Sequence, residues 1–143
     1  MKLFVDANVW IPILVENHAH HKRAWQWWTT IADREAVWCR MTQMSVLRLL
    51  TNSIVMHGTP LSLAESWSVW QRVEQDPRTS FYDVEPAGIA GGWSARIQGR
   101  ATTPNLWMDA YLAALAELSG FGFATFDKGF RQMGLTNLVL LAA

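Results

Sequence analysis

Five short apolar runs punctuate the chain: Leu3-Phe4-Val5, Ala36-Val37-Trp38-Cys39, Phe81-Tyr82-Asp83-Val84, Phe121 to Phe126, and Leu138 to Leu141. Runs of this length between turn formers read as strands. The first is apolar throughout and stops at Asp6-Ala7-Asn8, as a strand buried on both faces would. The segments between the runs carry helical spacing or turn chemistry. Val9 to Leu14 begins a helix or irregular turn, in which Pro12 is tolerated only in the first turn. From His21 to Ala32 the apolar set Ala24, Trp25, Trp28, Ile31, Ala32 marks an amphipathic helix. Thr42 is the expected N-cap of a helix through Val46, Leu47 and Leu50 to about Asn52. Ser62-Leu63-Ala64-Glu65 has the capping-box form. Its helix should bury a stripe of Leu63, Trp67, Trp70 and Val73 and end before Asp76-Pro77. Ile89, Trp93 and Ile97 outline a glycine-weakened helix, and a polar loop runs from Gly99 to Pro104. A further helix starts at a capping Asn105, carries Leu112, Leu115, Ala116 and Leu118, and stops at Gly120.

Strands alternating with helices predict right-handed crossovers and a mainly parallel sheet with helices on both faces. No linker or repeat interrupts the pattern, so one α/β domain spanning residues 1–143 is expected.

The totals narrow the function classes. Twelve basic and twelve acidic side chains cancel, so no strong non-specific pull on nucleic acid is expected; a nucleic-acid enzyme would need a local basic surface or one shared across a dimer. The single cysteine, Cys39, forms no internal disulfide and reads as a small buried hydrophobe, which fits a reducing cytoplasm. No signal-peptide pattern precedes the first strand, and no apolar run is long enough to span a bilayer. His18, His20 and His21 have neither a helical i,i+4 pair spacing nor a zinc-finger spacing, and are expected in a solvated loop and helix start. Nine tryptophans supply either aromatic packing or a partner surface, with the rings of Trp67 and Trp70 expected in the core.

Three carboxylates stand out. Asp6 ends the first strand, Asp127 follows the fourth, and Asp109 sits near the start of the helix feeding the fourth. In a parallel sheet, strand C-termini and helix N-termini share one rim, where ligands bind in open α/β sheets. Taken singly, Asp6 caps a helix, Asp109 favours a helix dipole and Asp127 makes a turn. Taken together, three acids at one rim repel unless a cation sits among them, and carboxylates with water suit Mg2+ or Mn2+. Such a site suits phosphodiester hydrolysis. Asn8 and Thr125 are supporting candidates, two residues from an acid each, against a turn asparagine and a plain strand threonine. Arg48 is a candidate phosphate contact, against a solvated helix-face arginine. A flavodoxin-like phosphoacceptor domain fits less well, since no acid stands immediately before Asp6.

Four blocks then carry a resemblance: Leu3-Phe4-Val5-Asp6-Ala7-Asn8-Val9, Thr42 to Asn52, Met108-Asp109-Ala110-Tyr111-Leu112-Ala113-Ala114-Leu115-Ala116, and Ala124-Thr125-Phe126-Asp127-Lys128-Gly129-Phe130. In this order and spacing the chain resembles the PIN-domain ribonucleases, specifically the toxin half of VapBC toxin–antitoxin pairs. The resemblance implies a three-layer α/β/α PIN-like domain with a mainly parallel five-stranded sheet. It also implies a magnesium- or manganese-dependent endoribonuclease acting on RNA, neutralised by a cognate antitoxin, usually as a homodimer. Asp6, Asp109 and Asp127 fall on family acid positions and would be the catalytic metal ligands. Where the family commonly has a glutamate in the middle helix, this chain has Ser45, which departs from the pattern. The tryptophan-rich helices between Trp25 and Trp70 are the expected antitoxin or dimer surface. A non-catalytic PIN-like module that only holds RNA or protein is the competing expectation.

Overall fold

The computed structural model describes residues 1–142. Five parallel strands form one sheet: β1 (Leu3–Val5), β2 (Ala36–Trp38), β3 (Thr79–Phe81), β4 (Gly122–Thr125) and β5 (Leu138–Leu140), in the order β3-β2-β1-β4-β5. Helices α1 (Ala7–Leu14), α2 (His21–Trp28), α3 (Arg40–Leu50), α4 (Leu63–Gln75), α5 (Ile89–Ile97) and α6 (Leu106–Leu118) connect them, and a 3-10 turn (Lys128–Gln132) joins β4 to β5. This is the expected three-layer α/β/α arrangement.

Successive side chains of a strand point to opposite faces, so the sheet divides two cores. Leu3 and Val5 join Trp10, Trp28, Val46, Leu50 and Trp70 from α1 to α4. Phe4, Val37 and Phe123 join α6, through Ala110, Ala113, Leu115 and Ala116, and Phe130 of the 3-10 turn. Trp10 meets Trp28 and Trp70 edge-on, with ring centroids 5.4 and 5.9 Å apart, a geometry that aligns the ring quadrupoles. On the other side α5 lies so close to α6 that a Cβ on Gly92 would stand 3.0 Å from Leu118 Cδ1. The glycine that weakens α5 as a helix therefore permits its packing.

Several local expectations are corrected. Pro12 is the sixth residue of α1, well past its first turn; it is buried there, and its ring removes the helical donor to the Asn8 carbonyl. Helix α2 stops at Trp28 rather than Ala32, although Ile31 stays in the core. Cys39, not Thr42, is the N-cap residue of α3; Thr42 lies inside the first turn, buried, with its hydroxyl 3.5 Å from the Cys39 thiol. The third strand is Thr79–Phe81 instead of 81–84, paired Ala36↔Thr79 and Trp38↔Phe81 with β2. Its hydroxyls escape a hydropathy reading because carbonyls outside the sheet satisfy them: Thr79 donates to Val73 O in the last turn of α4 and Ser80 to Arg34 O in a loop. The fourth strand is also shorter at both ends than its apolar run. The capping box at Ser62 and Glu65 is present, with both reciprocal bonds. The stripe of α4 is rotated from the expected one. Ser66, Trp70 and Val73 face the core, while Leu63 and Trp67 are 82% and 53% exposed. The histidines are half-buried rather than solvated. His21 Nδ1 lies 2.7 Å from Pro12 O, and the His20 ring stacks on Phe126 at 5.2 Å.

Trp70→Ala is expected to cost about 3–5 kcal/mol of unfolding free energy, and Trp67→Ala no more than about 0.5 kcal/mol. Equilibrium denaturation of both variants checks the rotation of α4, and equal losses would contradict it.

Candidate active site

The site forms where β1 and β4 end side by side. The two strands pair in parallel, Val5 opposite Ala124, and the ladder continues through Asp6 N donating to Ala124 O at 2.9 Å. That last bond places Asp6 beside Thr125. The next residues on each side, Asn8 and Asp127, then lie near the same seam.

Thr125 holds this seam together. It is fully buried, and its hydroxyl donates to Asp6 Oδ2 at 2.8 Å. The same oxygen accepts from Asn8 Nδ2 at 3.1 Å and from the backbone N–H of Asp127 at 3.0 Å. Asn8 Oδ1 in turn accepts from Phe126 N at 3.1 Å. One hydroxyl thus uses its donor and two acceptor lone pairs, its full capacity. Asp127 is fixed from the other side, since its Oδ1 accepts from Gly129 N at 2.8 Å at the start of the 3-10 turn. The turn reading of Asp127 and its placement at the rim are therefore compatible. Asp6 precedes α1 in N-cap position but its carboxylate makes no cap bond; it is turned to Thr125 instead. Asn105 likewise occupies the N-cap position of α6 without a side-chain cap bond.

Asp109, in the first turn of α6, completes the group across a cleft of about 380 Å3. Asp6, Asp109 and Asp127 all line this cleft, with Asn8, Ser45, Arg48, Asn52 and Asn105. Asn8 serves Thr125 and the Phe126 backbone rather than a carboxylate. Ser45 and Arg48 face the cleft from α3. Asn52 and Asn105 are cleft residues that the sequence marked only as a helix end and a cap. The clearest omission is the weight borne by Thr125, whose one available signal was a polar residue inside an apolar run, two positions before Asp127.

Electrostatically the cleft is strained. Burial raises the Asp6 carboxyl to about 6, against the lowering effect of the Thr125 hydrogen bond, and the charges of Asp109 and Asp127 push it the same way. Asp109 is also raised to about 6, first by burial and then by Asp127. Among the described residues the one ion pair, Arg78 with Asp76, lies elsewhere, so no side-chain cation neutralises these acids at contact distance. A hard divalent ion suits a donor set of crowded, uncompensated carboxylates. Among the described residues no group of three His, Cys, Asp or Glu side chains is gathered tightly enough to hold one ion. Direct ligation by all three acids is thus not laid out in advance. A coordination shell of one or two carboxylates with water, which Mg2+ commonly adopts, fits the cleft as it stands.

Comparison with known proteins agrees with this geometry. The PIN domain family matches residues 3–135. Ribonuclease VapC41 of Mycobacterium tuberculosis is 38% identical over 144 aligned positions, covering 98% of this chain and 99% of that protein. Two solved structures share the fold at low identity. One is the M. tuberculosis VapC20 toxin, described as cleaving the sarcin-ricin loop (TM-score 0.69, 16% identical, 94% and 97% of the two chains). The other is Rickettsia felis VapBC2 bound to a promoter DNA fragment (TM-score 0.64, 12% identical, 98% and 97%). The match over nearly the whole chain, in a protein whose three acids line one cleft, makes this chain a member of the PIN-domain family and a relative of the VapC ribonucleases.

Proposed function

We propose that the chain is a metal-dependent endoribonuclease toxin, that Asp6, Asp109 and Asp127 hold its Mg2+ or Mn2+, and that a cognate antitoxin neutralises it. The observation that carries this reading is the convergence of the three acids, two of them raised to about 6, on one cleft without a neutralising side chain. A bound divalent ion supplies an acidified water and a counter-charge for the phosphate. The protein's own residues do the rest. Thr125 anchors the Asp6 carboxylate through one oxygen, and so holds it at the cleft. Gly129 and the Thr125 hydroxyl fix Asp127 through its carboxylate and its backbone N–H. The net reaction is hydrolysis: the water oxygen bonds to phosphorus, the bond to one sugar oxygen breaks, and that oxygen leaves with a proton as the water gives one up.

Cellular RNA in the cytoplasm is the substrate this reading implies, and the 143 residues act as one domain. No helix among the described residues is long and apolar enough to cross a membrane. Trp25, Trp67 and Trp107 are 45%, 53% and 58% exposed, which supports a protein partner surface for an antitoxin or a second copy in a homodimer. Ser45 and the absence, among the described residues, of a preformed three-ligand cluster favour the second reading, a PIN-like module that binds RNA or protein without cutting.

Purified chain with Mn2+ or Mg2+ is expected to cut total RNA, and chelation should stop it. Asp6→Asn and Asp127→Asn should each lower the rate about 100-fold or more, and Thr125→Val about 10- to 100-fold. Unchanged cutting by either aspartate variant would remove these residues from the site; no cutting by metal-loaded wild type would leave the binding module. The raised carboxyls also set a pH dependence. Their folded-state values, about 6, lie above the ordinary aspartate value of 3.8, so the metal-free native state binds more protons than the unfolded chain between those limits. The resulting penalty is fully present above about pH 6 and disappears as pH falls toward 4. Asp6→Asn should therefore be more stable than wild type at pH 7.5, and the gap should close on acidification, as read by thermal unfolding without metal. A gap constant with pH would contradict a raised Asp6. Because the ligands must lose protons to bind, Mn2+ affinity should weaken below about pH 6.

A further inference from the structure

The cleft contains one cation of its own, Arg48. It lies three residues beyond Ser45 on α3, so both project from one face of that helix, and both line the cleft with the three acids. The other arginines with defined polar contacts are engaged. Arg78 pairs with Asp76, Arg96 donates to the carbonyls of Gly92, Met133 and Gly134, Arg100 donates to Arg96 O and Gln132 O, and Arg40 donates to Gln43 and lies over the Phe81 ring at 4.7 Å. Among the described residues the Arg48 guanidinium makes no hydrogen bond or ion pair, and the residue is exposed. A free guanidinium in the same cleft as the acids, with no ion pair to them, is placed for a ligand that brings its own negative charge.

Charge counting gives it a role. Asp6, Asp109 and Asp127 are the cleft's only acids among the described residues, and α3 adds a neutral serine. When ionised, three carboxylates balance one divalent ion with one negative charge to spare, and two ions would overcompensate them. Resting on the nuclease reading above, we propose that this site works with a single metal ion and that Arg48 is its second cation, set against the non-bridging oxygens of the RNA phosphate. A guanidinium is planar and always charged, and its fork matches two phosphate oxygens. It forms no covalent bond in the reaction. Its effect is to hold the phosphate over the carboxylates, which would otherwise repel the RNA backbone, and to spread the charge that builds up on phosphorus-bound oxygens. Locally this supplies the positive surface that the chain's neutral total does not.

Two readouts that need no cleavage decide this. Calorimetry with Mn2+ should give one ion per chain for both wild type and Arg48→Ala. Fluorescence anisotropy of a labelled single-stranded RNA 20-mer, on an Asp109→Asn chain that does not cut, should show binding about 10-fold weaker when Arg48→Ala is added. The slope of log affinity against log salt should fall by about 1. In the cutting chain Arg48→Ala should lower kcat/KM, and Arg48→Lys, which keeps charge but not the fork, should recover only part of it. Two manganese ions per wild-type chain, or RNA affinity and salt slope unaltered by Arg48→Ala, would overturn the proposal. Failure of the nuclease reading shows separately, as a wild-type chain that does not cut, while the ion count and the salt slope still decide the role of Arg48.

Discussion

The pairing of β1 with β4 is the constraint on which the site depends. These strands are far apart in sequence, yet the register Val5 opposite Ala124 sets Asp6 and Thr125 side by side. A shift of one residue would turn every β4 side chain to the opposite face, moving Thr125 away from Asp6 and exchanging Phe123 and Ala124 between the two cores. Hydrophobic burial therefore enforces the register, and the register delivers the acids. The hydroxyl of Thr125 then converts strand adjacency into fixed geometry, because it binds the carboxylate of one strand end and the backbone of the other.

Crowding carboxylates at this seam costs stability, and the fold tolerates that cost instead of removing it. A neutral residue at Asp6 or Asp109 would relieve the repulsion and the burial that together hold both carboxyls near 6. Stored electrostatic strain of this kind is found at functional sites, where a ligand of opposite sign releases it. The aromatic core of Trp10, Trp28 and Trp70 underlies α1, the helix that Asp6 precedes, and so gives the strain a rigid support.

The sequence made the architecture readable because each strand is a short apolar run between turn formers and each long helix keeps its period. The rim was readable for a similar reason: an aspartate immediately after an apolar run has one place to go in a parallel sheet. Legibility failed where an outcome depended on partners distant in sequence. Trp67 and Trp70 both fit a helical stripe, and only the direction from which β2 and α1 approach α4 puts Trp70 inside and Trp67 out. Thr79 and Ser80 look like loop residues until the carbonyls of Val73 and Arg34 are seen to satisfy them. Thr125 reads as an ordinary strand residue because its importance lies in Asp6, 119 positions away. Asn52 and Asn105 carry turn and cap signals, and their place in the cleft follows only from how α3 and α6 face each other.

On the proposed reading, the acids lining the cleft at the end of β1 and β4 hold the metal. A crystal of the full chain soaked in Mn2+, with diffraction recorded at the manganese absorption edge, tests it most directly. An anomalous peak is expected in the cleft, within about 2.5 Å of at least one oxygen of Asp6, Asp109 or Asp127, and it should be lost in Asp6→Asn. Manganese bound elsewhere, or a cleft empty of signal at saturating metal, would contradict it.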